Sequence, residues 1–387
     1  MKKEMKIEHQ AFKICTHVLN KNLTREGLFA GSRHFTDSWA RDTFFSCFAL
    51  FKLKQYNEIK SLLLLFIRFQ KKDGQIPLRI GRGNQLLKFL NIPSRGKLNA
   101  VYTNDKGSHP ALDSTILFLT IFSTYILKTK NNSFFRIHKK KLDATLSFLE
   151  NHETNNLLYQ NNYTDWADSI KKKGTTLYSN TLYYQAITLY AQITHKEQSI
   201  TLKKKAEDLK KNINNQLWNT KGHFNDWKYK KTLHTNFCLE SNLLAILTHL
   251  ANKEQTQKIL NKIQHQTTKN KKKGIPITSN LLKNIIPPYT WKQIFLPFYF
   301  INMQSYHNGM CWLWHTNLSI EVLAKHKKTI EAKTLLNNVA KIITQHQTTH
   351  EVYTPQGKPL HKLFYTSEPD FSWSAATYIQ AYKSIVK

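Results

Sequence analysis

Apolar residues recur at three- and four-residue intervals along most of this chain, the period of a helix that buries one face. Helices are predicted near 8–20, 41–54, 57–70, 112–128, 134–150, 177–194, 200–217, 236–250, 254–265, 290–303, 311–325, 329–345 and 373–386. After Asp42, for instance, Phe44, Phe48 and Phe51 fall at i, i+4 and i+7, with Phe45 and Ala49 beside them. Strand-like alternation is scarce, and 12 Gly and 10 Pro punctuate the chain. Long polar connectors cover 71–110, 151–176 and 266–289.

No signature repeats at a fixed spacing, which excludes a short-period helical solenoid. No linker divides the chain either. The pattern suits one all-α domain over 1–387: six helical hairpins closed into an (α/α)6 barrel, with the long connectors gathered at one end to build a site.

The composition, 41% hydrophobic and 12% aromatic, is ample for one large core. The formal net charge of +32 comes from short runs such as "HKKK" at 138–141 and "KKK" at 171–173 and 203–205. These are scattered, not collected on one element with interleaved aromatics, so they point away from a nucleic-acid reader and towards a general lysine bias. An anionic partner stays open. The first residues hold no continuous apolar stretch, and no window nears the roughly eighteen apolar residues of a membrane span. A cytoplasmic protein without a membrane partner is expected. Cys15, Cys47, Cys238 and Cys311 have no CxxC or Cys/His spacing and read as reduced, buried thiols. His307 and His315 are eight apart without a third ligand, so no metal or other cofactor is expected.

Acids and tryptophans gather at predicted helix starts. Trp39, Arg41 and Asp42 open one helix and Asp113 another; Asp165 and Asp168 flank Trp166; Trp312 and Trp314 follow the "YHNG" turn; Glu368 and Asp370 precede Trp373. Each cluster alone reads as ordinary helix capping and dipole placement, with Asp37 or Ser38 as the cap before Asp42. Together they suggest convergence, and sugar sites use aromatic faces with carboxylates and Arg.

In order, "WARDTF" (39–44), "DGQIP" (73–77), "LDSTILF" (112–118), "DWADS" (165–169), "TLYYQAI" (181–187), "YHNGMCWLW" (306–314) and "FSWSAA" (371–376) resemble the α-1,6-glucosidase barrel of glycogen debranching enzymes. Neutral invertases and trehalase-like or glucoamylase-like hydrolases share a looser version. The resemblance runs from about residue 30 to the C-terminus. It implies an inverting hydrolase of an α-glucosidic bond, α-1,6 or related, that acts on an oligosaccharide or polysaccharide without a cofactor. It makes Asp168 the general acid and Glu368 the general base, with Asp370 as alternative base because Glu368 stands one residue too far from Trp373. It assigns sugar binding to Trp39, Arg41, Asp42, Asp113, Trp166, His307, Asn308, Trp312 and Trp373. Tyr178 and Leu313 replace the Glu and Pro usual in the family. Those departures leave open a disaccharide hydrolase of the invertase or trehalase kind, or a barrel that binds glycans without turning them over.

Overall fold

In the computed structural model, which describes residues 6–83, 88, 96–272 and 281–386, helices buried all round alternate with helices buried on one face. The first kind are α2 (Ala40–Lys52), α4 (Leu112–Thr129), α6 (Leu177–Tyr190), α8 (Leu239–Leu247), α10 (Leu313–Lys325) and α12 (Ser372–Ile385). Their sequences explain the placement: α4, "LDSTILFLTIFSTYILKT", carries apolar or small polar residues on every side. The second kind are α1 (Lys6–Asn22), α3 (Tyr56–Arg68), α5 (Asn132–Glu150), α7 (Lys196–Leu217), α9 (Lys253–Lys272) and α11 (Thr329–His346). Each has charged or polar residues on its solvent face and an apolar stripe inward, the pattern of a helix in an outer layer.

The inner helices touch in the order α2, α4, α6, α8, α10, α12 and back to α2, so they form a closed ring. Outer helices α3, α5, α7 and α11 pack against the inner helix that precedes each, and α1 closes the last gap by packing on α11 and α12. Tyr378 of α12 donates to the carbonyl of Glu8 on α1 at 3.0 Å. This is the expected (α/α)6 barrel. Aromatic side chains lock the layers: the Phe44 ring stands 4.7 Å from Phe66 and 5.9 Å from Phe118, joining α2, α3 and α4. Burying each such ring stabilises the fold by roughly 1.5–3 kcal/mol.

Two-residue strands, too short to show alternation in the sequence, fix how the chain enters three inner helices. Ser38–Trp39 leads into α2, Thr175–Thr176 into α6 and Phe237–Cys238 into α8, and each pairs antiparallel with a strand from a long connector. Trp39 lies opposite Arg79 in that register.

The helix predicted over 290–303 does not form. A 3-10 turn at Trp291–Gln293 and one helical turn at Pro297–Phe300 stand there, separated by extended Ile294, which bridges to Ile170. Pro297 cannot donate within a helix, and Leu296, Tyr299 and Phe300 point outward. Nor does Asp37 or Ser38 cap α2: the cap residue is Trp39, with no side-chain bond, and Asp37 is held by Arg79 at 2.7 Å and by Lys88. All four cysteines are free and buried. Among the described residues, no helix is long and apolar enough to cross a membrane, and no group of His, Cys, Asp or Glu could hold a metal.

Candidate active site

The first turns of the inner helices meet at one end of the ring. Arg41 (α2) pairs with Asp113 (α4) at 3.2 Å, and Tyr178 (α6) donates to the same carboxylate oxygen at 3.5 Å. Glu240 (α8) stands 3.6 Å from the His315 ring of α10. Trp314 (α10) stacks on Trp373 (α12) at 4.4 Å, and the Arg41 guanidinium lies 6.0 Å from the Trp373 ring, closing the circuit. Six helix N-termini at one place make a field that favours carboxylates.

Trp166 is the hub of this end. Its indole N–H donates to Glu240 at 3.0 Å, and its ring meets His307, Trp312, Trp314 and His315 edge-on at 4.7–5.5 Å. Ser169 and the His307 Nδ1 are bonded at 2.8 Å. Asp165 accepts from the Ala167 amide at 2.9 Å and faces the buried Lys172. The loop 165–169 is thereby fixed, and Asp168 is left facing a cavity of about 400 Å³.

That cavity is lined by eight of the residues expected from the sequence: Trp39, Arg41, Asp42, Trp166, Asp168, His307, Trp312 and Trp373. Its polar lining includes Arg41, Asp42 and Asp168. Trp39 Nε1, Arg41 Nε and Trp373 Nε1 are buried without a hydrogen-bond partner among the described residues. Its outer wall is apolar, from Phe298, Ile301, Met303 and Phe364.

Four expected residues lie elsewhere. Asp113 is fully buried behind Arg41 and orients that side chain without reaching the cavity. Asn308 accepts from the Tyr289 amide at 2.6 Å and donates to its carbonyl at 3.1 Å, which makes it a loop clamp. Asp370 pairs with Lys21 of α1 at 2.6 Å, away from the lining. Glu368, the expected base, turns from the cavity and accepts from the amides of Arg33 at 2.5 Å and His34 at 2.9 Å. A Cβ on Gly31 would come within 2.3 Å of Glu368 Cγ, so that loop closes over the carboxylate only because residue 31 is glycine.

The carboxylate facing the cavity from this part of the chain is Glu351, which lies between α11 and α12. It accepts from the Tyr306 and Tyr365 hydroxyls, one on each oxygen. Burial pushes its pKa up to about 8, against the two hydroxyl donors and with help from the nearby Glu368 and Asp42. Burial also raises Asp42, to about 6, against the pull of Arg41. Asp168 goes the other way: burial would raise it, but Lys106, 3.3 Å away, together with Arg41 and other neighbours holds it below the ordinary aspartate value. His307, pushed by burial to about 3, is neutral. Glu351, Lys106, Tyr306 and Tyr365 were missed in the sequence, where only the acid before the "YTPQG" turn at 353–357 hinted at a loop carboxylate.

The amylo-α-1,6-glucosidase family model matches residues 12–385. The chain belongs to this family. It is a glycoside hydrolase, and the barrel has solved counterparts at low identity. The mannosylglycerate hydrolase of family GH63 from Thermus thermophilus, in complex with Tris and D-glycerate, superposes with TM-score 0.69 at 11% identity, covering 95% of this chain and 99% of that one. A rhamnosidase from Klebsiella oxytoca with rhamnose bound gives 0.68 at 11% identity over 97% of this chain; the chain spans 64% of that protein's length. A GH78 rhamnosidase of Bacillus sp. GL1 gives 0.66 at 15% identity, covering 96% of this chain and 34% of that one. No curated protein sequence matches.

Proposed function

We propose that this family member is an inverting hydrolase of α-glucosidic bonds, α-1,6 or related, in which Asp168 is the general acid and Glu351 the general base. The observation that carries the reading is that these two carboxyls line one cavity together with Arg41 and Asp42. A glucosyl ring suits this lining: hydroxyls pair with Arg41 and Asp42, and Trp166 and Trp373 supply faces. The rhamnose- and glycerate-bound neighbours support an occupant of sugar size.

In the step proposed, Asp168 gives its proton to the leaving oxygen as the C1–O bond breaks. Water bonds to C1 from the opposite side and loses a proton to Glu351. An inverting pair leaves roughly 6.5–9.5 Å for that water. The Tyr306 and Tyr365 hydroxyls fix the direction of the Glu351 carboxyl, and neutral His307 holds the loop of Asp168 through Ser169. The charges in this structure favour a proton on Glu351 and none on Asp168, as after turnover. A glycosidic oxygen that displaces Lys106 from Asp168 removes the main cation keeping it ionised, and so prepares the acid.

The test is hydrolysis of α-glucans, isomaltose, maltose, trehalose and sucrose, with the anomer of released glucose followed by proton NMR. Asp168→Asn and Glu351→Gln are each expected to lower kcat by about 10²–10⁴-fold while the fold persists. Undiminished turnover in both variants overturns the assignment.

A further inference from the structure

The mouth of the cavity is built differently from its floor. Two short segments rise on either side: the turn Pro297–Phe300 with its neighbours, and the hairpin of strands His361–Lys362 and Tyr365–Thr366. Their tips are apolar and bare. Phe300 is 80% exposed, Leu363 84%, Phe364 68% and Leu296 56%. The two segments are joined through Tyr306: the Phe298 ring lies 6.1 Å from Tyr306 and Tyr306 lies 5.4 Å from Tyr365, both edge-on. Phe298, Ile301 and Phe364 carry the same apolar wall down into the cavity.

A second hexose in this position would bring hydroxyls that need donors and acceptors, and a site that leaves them unpaired loses affinity. The lining offers few on this side. Asp105 and Lys106 are its charged side chains on this side, and Lys106, 3.3 Å from Asp168, also lies 5.9 Å from the Phe298 ring. Aromatic rings alone would suit a stacked sugar, but Ile301, Met303, Leu296 and Leu363 are aliphatic, and aliphatic side chains reward only the loss of apolar surface from water.

We infer that the leaving-group side of this site takes an apolar aglycone, an alkyl or aryl alcohol, in preference to a further sugar. The inference rests on the hydrolase reading for its reaction: the C1–O bond breaks, the proton of Asp168 goes to the alkoxide oxygen, and a free alcohol leaves. As a statement about binding it stands apart from turnover, since the apolar wall is a property of the cavity and not of its carboxyls.

The experiment compares methyl, butyl and hexyl α-D-glucopyranosides below their micelle concentrations. Calorimetric Kd on Glu351→Gln is expected to fall by up to about four-fold per added methylene, and kcat/KM of the unaltered protein to rise in parallel. The double variant Phe300→Ser, Leu363→Ser, altered only at exposed positions, is expected to flatten both trends. A hexyl-to-methyl Kd ratio near one overturns the inference whatever the turnover. A steep ratio without cleavage of any glucoside upholds the apolar subsite and overturns the α-glucosidase reading instead.

Discussion

The amide of Glu351 donates to the carbonyl of Glu368 at 3.0 Å, yet the two carboxyl groups leave this shared bond for different places. Glu351 goes to the cavity and to Tyr306 and Tyr365; Glu368 goes to the amides of Arg33, His34 and Phe35. One glutamate lines the cavity, and the other ties the α12 entrance to the loop ahead of Trp39.

That division predicts different failures. Glu368→Gln puts an NH2 group against backbone donors and loses charge-assisted bonds worth roughly 1.5–3 kcal/mol each. We expect a lower Tm and a raised KM, because Phe35 and Trp39 line the cavity on that loop, with kcat reduced far less than in Glu351→Gln. Thermal unfolding and steady-state kinetics of the two variants decide it. Equal loss of kcat at unchanged Tm would restore Glu368 as the base.

The pH profile follows from the two carboxyls. With the proposed pair, productive enzyme needs Asp168 protonated and Glu351 ionised, so kcat/KM is expected to be a bell whose acidic limb reports the lower apparent pKa and whose basic limb the higher, near 8. Removing a hydroxyl donor destabilises the carboxylate form, so Tyr365→Phe raises Glu351 further and moves the basic limb to higher pH. Removing the Lys106 cation raises Asp168, so Lys106→Met moves the acidic limb upward. Profiles measured on one soluble glucoside check both signs, and a limb moving down in either variant contradicts the assigned pair.

The barrel was legible because inner and outer helices differ in composition: apolar all round in α4, striped in α7. The inner wall of the site was legible for a related reason, since Trp39, Arg41, Asp42, Trp312 and Trp373 sit at helix starts whose periodicity fixes where they point. Glu351 was not. It lies in a connector with no period to orient it, and its partners Tyr306 and Tyr365 are 45 and 14 residues away. The direction of the Glu368 side chain was not legible, because closeness to Trp373 in sequence says nothing about side-chain direction where strand and loop alternate. The 290–303 segment misled through its apolar residues, which form the rim of the cavity where a helical reading places core.

Behind Trp166 lies a charge cluster with no access to solvent. Lys172 Nζ stands 3.3 Å from Asp226 and 3.8 Å from Asp165, and Tyr289 donates to Asp226 at 2.6 Å. All three charged side chains are buried. Burial alone would lower the Lys172 pKa, but the two carboxylates raise it well above the ordinary lysine value, so the ammonium is retained. Lys172→Met would fill the space and strand the carboxylates, which for a buried pair losing one partner costs about 3–5 kcal/mol. Asp165 is already raised by burial despite Lys172, and without that cation it rises further. A carboxyl whose folded pKa exceeds its unfolded value destabilises above the folded pKa and ceases to do so below the unfolded one, near 3.9. The stability gap between Lys172→Met and the unaltered protein should therefore be largest at neutral pH and narrow towards pH 4. Urea unfolding of both proteins across that range measures the gap. A gap that stays constant with pH would mean that Lys172 acts by packing and not by charge.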